Sequence, residues 1–155
     1  MKKILLMITL IFWIGLILFL SFQTGADTAD TSMGFTTYIL HFFFKGEIPY
    51  ETLMYWHMKF RLWAHPAIFF FYAMLATGVM EEFVKRNFLC CAVSIFSGIV
   101  LAFFSEVGKW NIPGRHCDVK EMALNVIGVL AGTVLMLIVE IVSTKVGKDR
   151  RKRQR

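Results

Sequence analysis

Four long apolar runs, over residues 4–22, 62–80, 88–104 and 122–143, constrain this chain more than any motif in it. A helix needs roughly 20 apolar residues to cross the ~30 Å hydrocarbon core of a bilayer. Backbone groups in that core have no water to bond, so each run has to be helical. Composition points the same way: 57% of the residues are hydrophobic, more than a soluble domain of this length can hide. The expectation is one all-α domain spanning residues 1–155. It is a polytopic integral membrane protein of four transmembrane helices, with an aromatic interfacial segment between the first two and a basic tail over 144–155.

Loop charges orient the bundle. With the N-terminus inside, Lys2, Lys3, Lys85, Arg86 and the tail cations Lys145, Lys148, Arg150, Arg151, Lys152, Arg153 and Arg155 share the cytoplasmic side. The smaller set of Lys45, Lys59, Arg61, Lys109, Arg115 and Lys120 faces outward. The positive-inside rule therefore puts both termini in the cytoplasm of a multi-pass cell-membrane protein. The tail reads as a topology and anionic-lipid signal rather than a nucleic-acid site. The first run is longer than the roughly 7–15-residue apolar core of a signal peptide and reads as a retained anchor. Thr24-Gly25-Ala26 stands as the alternative, a cleavage site. Three cysteines give no disulfide framework, and Cys90 and Cys91 read as packing residues in an apolar run.

Residues 24–61 form a long outer segment. Asp27, Asp30 and Gly34 suggest a solvated start, and the aromatic stretch 35–44 is too short to span. Gly46 and Pro49 break it, after which Leu53, Trp56, His57 and Phe60 recur at helical spacing. Both stretches suit the headgroup level, and the second should run on into the helix holding His65, with Pro66 as a kink or first-turn residue.

Charge returns at residues 105–132, between the third and fourth runs, and charge at the mouth of a membrane bundle is costly enough to ask for a purpose. Asp118 and Glu121 have the spacing of a capping box for the fourth helix. Glu121, Asn125, Gly128 and Gly132 also share one helical face, so Glu121 and Asn125 would point into the bundle while the two glycines form a seam for close helix approach. Pro113-Gly114 is a type II turn signal that fixes where Arg115 starts. Glu106, at a helix C-terminus, opposes the dipole and asks for a cation; Arg115, Arg61 and Lys109 are the candidates. Gln23, Arg61 and His65 belong to the same outer depth. Arg115 either snorkels to phosphates or reaches inward to Glu106 and Glu121, where its fork would grip an anionic ligand.

His65, Glu106, His116, Cys117 and Asp118 are metal-ligand types, but no spaced ligand pair appears, so neither a metal nor another cofactor is expected. No nucleophile motif or phosphate-cradling glycine loop is present, and no catalytic residue is assigned.

These residues resemble the VanZ-like family of small bacterial membrane proteins. The pattern is Glu106, then Pro113-Gly114-Arg115, then Glu121, Asn125, Gly128 and Gly132. Arg61-Leu62-Trp63-Ala64-His65 looks like the family's upstream Arg…Ala-His, and Leu20-Ser21-Phe22-Gln23 is similar to its Ser-Gln helix end. The chain departs from the family at Ser105, often Asp there; at Lys109, often Gln; at Leu62, often Lys; at Pro66, often aromatic; and at Glu121, for Asp. The resemblance implies a link to reduced susceptibility to teicoplanin-type lipoglycopeptides.

Together these readings lead to an outward-facing polar pocket built by Gln23, Arg61, His65, Glu106, Arg115, Glu121 and Asn125, with Gly128 and Gly132 as packing positions. Its partners are membrane lipids and, as candidate ligands, an envelope lipid, a cell-wall precursor headgroup or a lipoglycopeptide; nucleic acid is not among them. In this reading Arg115 holds the anion, positioned by Glu106 and Glu121. Two alternatives stay open: a membrane enzyme on a lipid-linked phosphate or glycan, and a structural subunit of an envelope complex.

Overall fold

The computed structural model describes the backbone of residues 1–84 and 86–153 and the side chains through Lys145. Lys85, Arg155 and the tail side chains beyond Lys145, which the charge asymmetry counts, lie outside the described residues. Among the described residues the chain forms five α-helices, a short 3-10 turn and no strands. The helices are α1 (Lys2–Phe22), α2 (Gly25–Phe43), α3 (Tyr50–Glu81), α4 (Asn87–Val107) and α5 (Val119–Arg153), with the 3-10 turn over Gly108–Asn111. Four of them, α1, α3, α4 and α5, are long and apolar enough to cross a membrane.

The helices are longer than their apolar cores. α3 takes in the whole aromatic stretch from Tyr50, and Pro66 lies inside it rather than at its start. α5 begins at Val119 and continues through the basic stretch to Arg153. The solvated start expected near Asp27 is also helix. Thr24 caps α2, its Oγ1 accepting from the Asp27 backbone N–H at 3.2 Å and donating to Asp27 Oδ2 at 2.6 Å.

α3 is the central helix, packed most extensively on α5 and also against α1, α2 and α4. The α3–α5 contact depends on glycine. A Cβ at Gly128 would overlap the Pro66 backbone, and one at Gly132 would overlap the Phe70 carbonyl. Close backbone approach of this kind lets dispersion hold helices together in lipid, where burial alone gives no drive. The dry core holds Ile17, Phe69, Tyr72, Ala73, Ala76, Ala102 and Val129. Polar groups stitch it: Tyr72 Oη donates to Ser97 Oγ at 3.0 Å, Ser94 Oγ to the Ala73 carbonyl at 3.2 Å, and Trp13 Nε1 to the Ile68 carbonyl at 2.9 Å. Large apolar side chains such as Ile8, Phe12, Phe96 and Ile138 remain exposed, as a lipid-facing surface requires.

Both ends of the bundle are fixed by polar contacts. At one, Lys2 Nζ pairs with Glu82 at 2.5 Å and Lys3 Nζ donates to the Glu82 carbonyl at 2.7 Å. At the other, Gln23, the 3-10 turn and the start of α5 come together, and the candidate residues lie there.

Candidate functional site

The turn joining the 3-10 segment to α5 forms as its sequence dictates. Gly114 has φ +71°, and the Arg115 N–H donates to the Ile112 carbonyl at 3.1 Å, closing a turn with Pro113 and Gly114 at its centre. The Gly25 N–H donates to the Pro113 carbonyl at 3.1 Å. A side chain at Gly25 would collide with the Gly114 carbonyl, so this glycine lets the α1–α2 junction rest on the turn.

Asp118 caps α5, its Oδ1 accepting from the Lys120 N–H at 2.7 Å. The reciprocal half of the capping box is made by a different residue. Glu106 Oε2, not Glu121, approaches the Asp118 N–H, at 3.4 Å. Glu121 is thereby free to turn inward.

The inward-facing carboxylates meet a lysine, which corrects the expected Arg115 network. Lys109 Nζ lies 2.5 Å from Glu106 Oε1 and 2.8 Å from Glu121 Oε2. Both Lys109 and Glu106 are 1% exposed. The 3-10 turn explains the choice: it curls the chain after α4 so that Lys109, three residues past Glu106, folds back under the helix end. The extra residues between Glu106 and Arg115 carry the arginine past the pair instead. Arg115 Nη1 donates to Thr28 Oγ1 of α2 at 2.7 Å. Burial first, then the neighbouring Arg61 charge, pull the Arg115 guanidinium below its ordinary pKa, while Glu121 and Glu106 offset part of that effect. No carboxylate lies within ion-pair distance of Arg61 or Arg115 among the described residues.

His65, part-buried like Glu121, completes the cluster, with Nε2 3.3 Å from Glu121 Oε2. One ligand atom each from His65, Glu106 and Glu121 fall within 4.8 Å of one another, a spacing that suits a cation. The Lys109 ammonium is the cation placed between the two carboxylates. His116, Cys117 and Asp118 are not part of this group.

Beside the cluster lies a cavity of about 370 Å³ between α1, α2 and α3, within the range of small-ligand sites. Ile17, Leu20, Phe35, Phe60, Ile68 and Phe69 give it an apolar wall. Gln23, Thr28, Arg61, His65, Lys109, Arg115 and Asn125 give it a polar end. Of the residues expected to form a pocket, Gln23, Arg61, His65, Arg115 and Asn125 line this cavity, while Glu106 and Glu121 stand behind Lys109. Thr28, Lys109 and the aromatic pair Phe35 and Phe60, whose rings meet edge-on with centroids 6.1 Å apart, are additions. The cap signal Thr24-x-x-Asp27 would have revealed α2 and hence Thr28. A second hollow of about 460 Å³ sits at the opposite end, lined by Lys2, Trp13 and Glu81 among others. Its cation, Lys2, is already held by Glu82.

Comparison with known proteins places this architecture. No curated protein and no solved structure matches the chain. The family model described as VanZ/LLP1 matches residues 6–140, which includes most or all of each spanning segment and every residue of the polar end. This multi-pass membrane protein belongs to the VanZ/LLP1 family.

Proposed function

We propose that the α1–α2–α3 cleft binds an amphiphile of the cell envelope, with its anionic headgroup on Arg61 and Arg115 and its apolar chain along the Leu20, Phe35 and Ile68 wall. The observation that carries this reading is the pair of guanidiniums lining one cavity with no carboxylate within ion-pair distance among the described residues. Two like charges beside a low-dielectric cleft repel, and a phosphate or carboxylate between them relieves the repulsion through charge-assisted bonds. Membership of a family associated with glycopeptide resistance supports an envelope ligand of this class, a lipid, a cell-wall precursor headgroup or a lipid-tailed glycopeptide. In this account Lys109 replaces Arg115 as the partner of Glu106 and Glu121, and the cleft faces outward with both termini in the cytoplasm.

The test is mass spectrometry of lipids retained after gentle extraction. Wild-type protein should retain an anionic or phosphate-bearing amphiphile, and Arg61→Gln/Arg115→Gln should lose it while keeping its fold. Equal retention by both proteins contradicts the reading.

A second reading, an enzyme on a lipid-linked phosphate or glycan, draws on the His65–Glu121 contact. A carboxylate on Nε2 orients the imidazole and leaves Nδ1 as the nitrogen that exchanges a proton. His65→Gln should then abolish turnover of such a lipid while binding persists; unchanged lipid composition on expression of the wild-type protein removes this reading.

A further inference from the structure

We infer that the headgroup taken by this cleft carries a hydrogen-bond donor, an ammonium or a hydroxyl, beside its phosphate, and that Asn125 and Gln23 are the residues that select for it. The inference rests on the anionic-amphiphile reading above.

Asn125 is 1% exposed, and its Oδ1 has no partner among the described residues. Gln23 Oε1 is likewise buried without a partner. The two side chains come from different helix ends, the C-terminal cap of α1 and the second turn of α5, yet both line the cavity that holds Arg61 and Arg115. A buried acceptor left unpaired is costly, and such groups are paired in nearly all native interiors. His57 Nδ1 and Thr77 Oγ1 are buried without a partner as well, but neither residue lines this cavity, whereas Asn125 and Gln23 share it and make it the place where one donor-bearing ligand would meet two such acceptors.

Charge runs in the same direction. Behind Asn125 the carboxylates of Glu106 and Glu121 face a single ammonium, that of Lys109. Glu106 and Glu121 thus stand on the Lys109 and His65 side of the site, whereas Arg61 and Arg115 are cations with no carboxylate within ion-pair distance among the described residues. A phosphate on the arginines with an N–H or O–H donor directed at the amide oxygens matches that polarity. A headgroup whose donors are methylated would satisfy the arginines and leave both oxygens unpaired. Discrimination of this kind is strong because the penalty falls on the protein's own buried groups.

The test uses the full chain in nanodiscs, with bound lipid counted by native mass spectrometry. Two lipid pairs of equal acyl chains and equal net charge serve as probes. Phosphatidylethanolamine against phosphatidylcholine removes only N–H donors. Phosphatidylglycerol against phosphatidylpropanol removes the O–H donors and keeps the three-carbon headgroup chain. At least one pair should discriminate by about tenfold, the factor one well-made hydrogen bond supplies, and which pair does so identifies ammonium or hydroxyl. Asn125→Leu should erase that preference. Gln23→Met, at a half-buried helix end less critical for folding, should weaken it. Failure of both pairs to discriminate overturns the inference, as it would if the amides were turned over to present N–H groups to phosphate. So does a preference that survives intact in both variants. Binding that depends on Arg61 and Arg115 but ignores headgroup donors refutes only this inference, whereas binding indifferent to the arginines refutes the reading beneath it.

Discussion

Lys109 donates to Glu106 at 2.5 Å with both side chains 1% exposed, three residues apart across the junction of α4 and the 3-10 turn. The contact joins two chain segments to a third, because the same ammonium also reaches Glu121 at the start of α5. A desolvated pair of this kind gains little against an apolar replacement, but breaking it leaves a bare charge in a dry place. Lys109→Met should therefore destabilise the protein by about 3–5 kcal/mol. Lys109→Met with Glu106→Gln should recover part of that loss, since one orphan carboxylate is gone. Thermal unfolding in detergent measures both, and strictly additive losses would show that the residues do not act together.

The tether between Arg115 and Thr28 makes a separate prediction. It is a charge-assisted bond linking the α5 approach to α2, alongside the Gly25–Pro113 backbone contact. Thr28→Val removes the acceptor and should cost about 1.5–3 kcal/mol of local stability. Amide exchange should accelerate across α2 with little change in α4. Uniform acceleration through all helices would mean that the bond is not a local tether.

The glycine seam predicts a contrast between positions. Gly128→Ala and Gly132→Ala push a methyl into the α3 backbone and should each cost about 1–3 kcal/mol. Gly15→Ala meets nothing within 4 Å and should be neutral or slightly stabilising, as alanine is the better helix former. Equal effects at all three sites would contradict close α3–α5 contact.

Much of this was legible in the sequence, for identifiable reasons. Hydropathy and length mark the four spanning helices because bilayer thickness sets their size. Pro113-Gly114 marks the turn because only glycine adopts its positive φ freely. The helix ends were less legible: α2, the first turns of α3 and the last turns of α5 carry polar or aromatic residues that hydropathy passes over. Of the three cations named for Glu106, Lys109 is the partner, and the weight placed on Arg115 fails for a geometric reason. Arg115 has the better fork, but Lys109 is the residue that a 3-10 turn folds back onto Glu106. A cation three residues from a carboxylate at a helix end is a local signal, and it outweighs the chemistry of a more distant arginine.

Orientation is tested with cysteine chemistry. Cys117 sits half-buried in the approach to α5, and Cys90 is buried near the start of α4 at the opposite end. An impermeant thiol reagent on intact cells should label Cys117, or a Lys120→Cys probe in the first turn of α5, and spare Cys90. Labelling of a cysteine placed after residue 145 from outside would reverse the orientation.

The proposed envelope ligand predicts a cellular phenotype. Raised expression in a Gram-positive host should lower susceptibility to a lipid-tailed glycopeptide more than to vancomycin, and Arg61→Gln/Arg115→Gln should abolish the difference. Equal shifts for both drugs would point to a general change in the wall.

The most direct measurement is photo-crosslinking from inside the cleft. A photoreactive residue at Leu20, on the apolar wall beside Gln23, should capture an amphiphile whose adduct mass includes a phosphate or carboxylate headgroup. Arg61→Gln/Arg115→Gln should remove that adduct at unchanged protein level. An adduct of neutral lipid alone, or one equally abundant without the two arginines, would contradict the account.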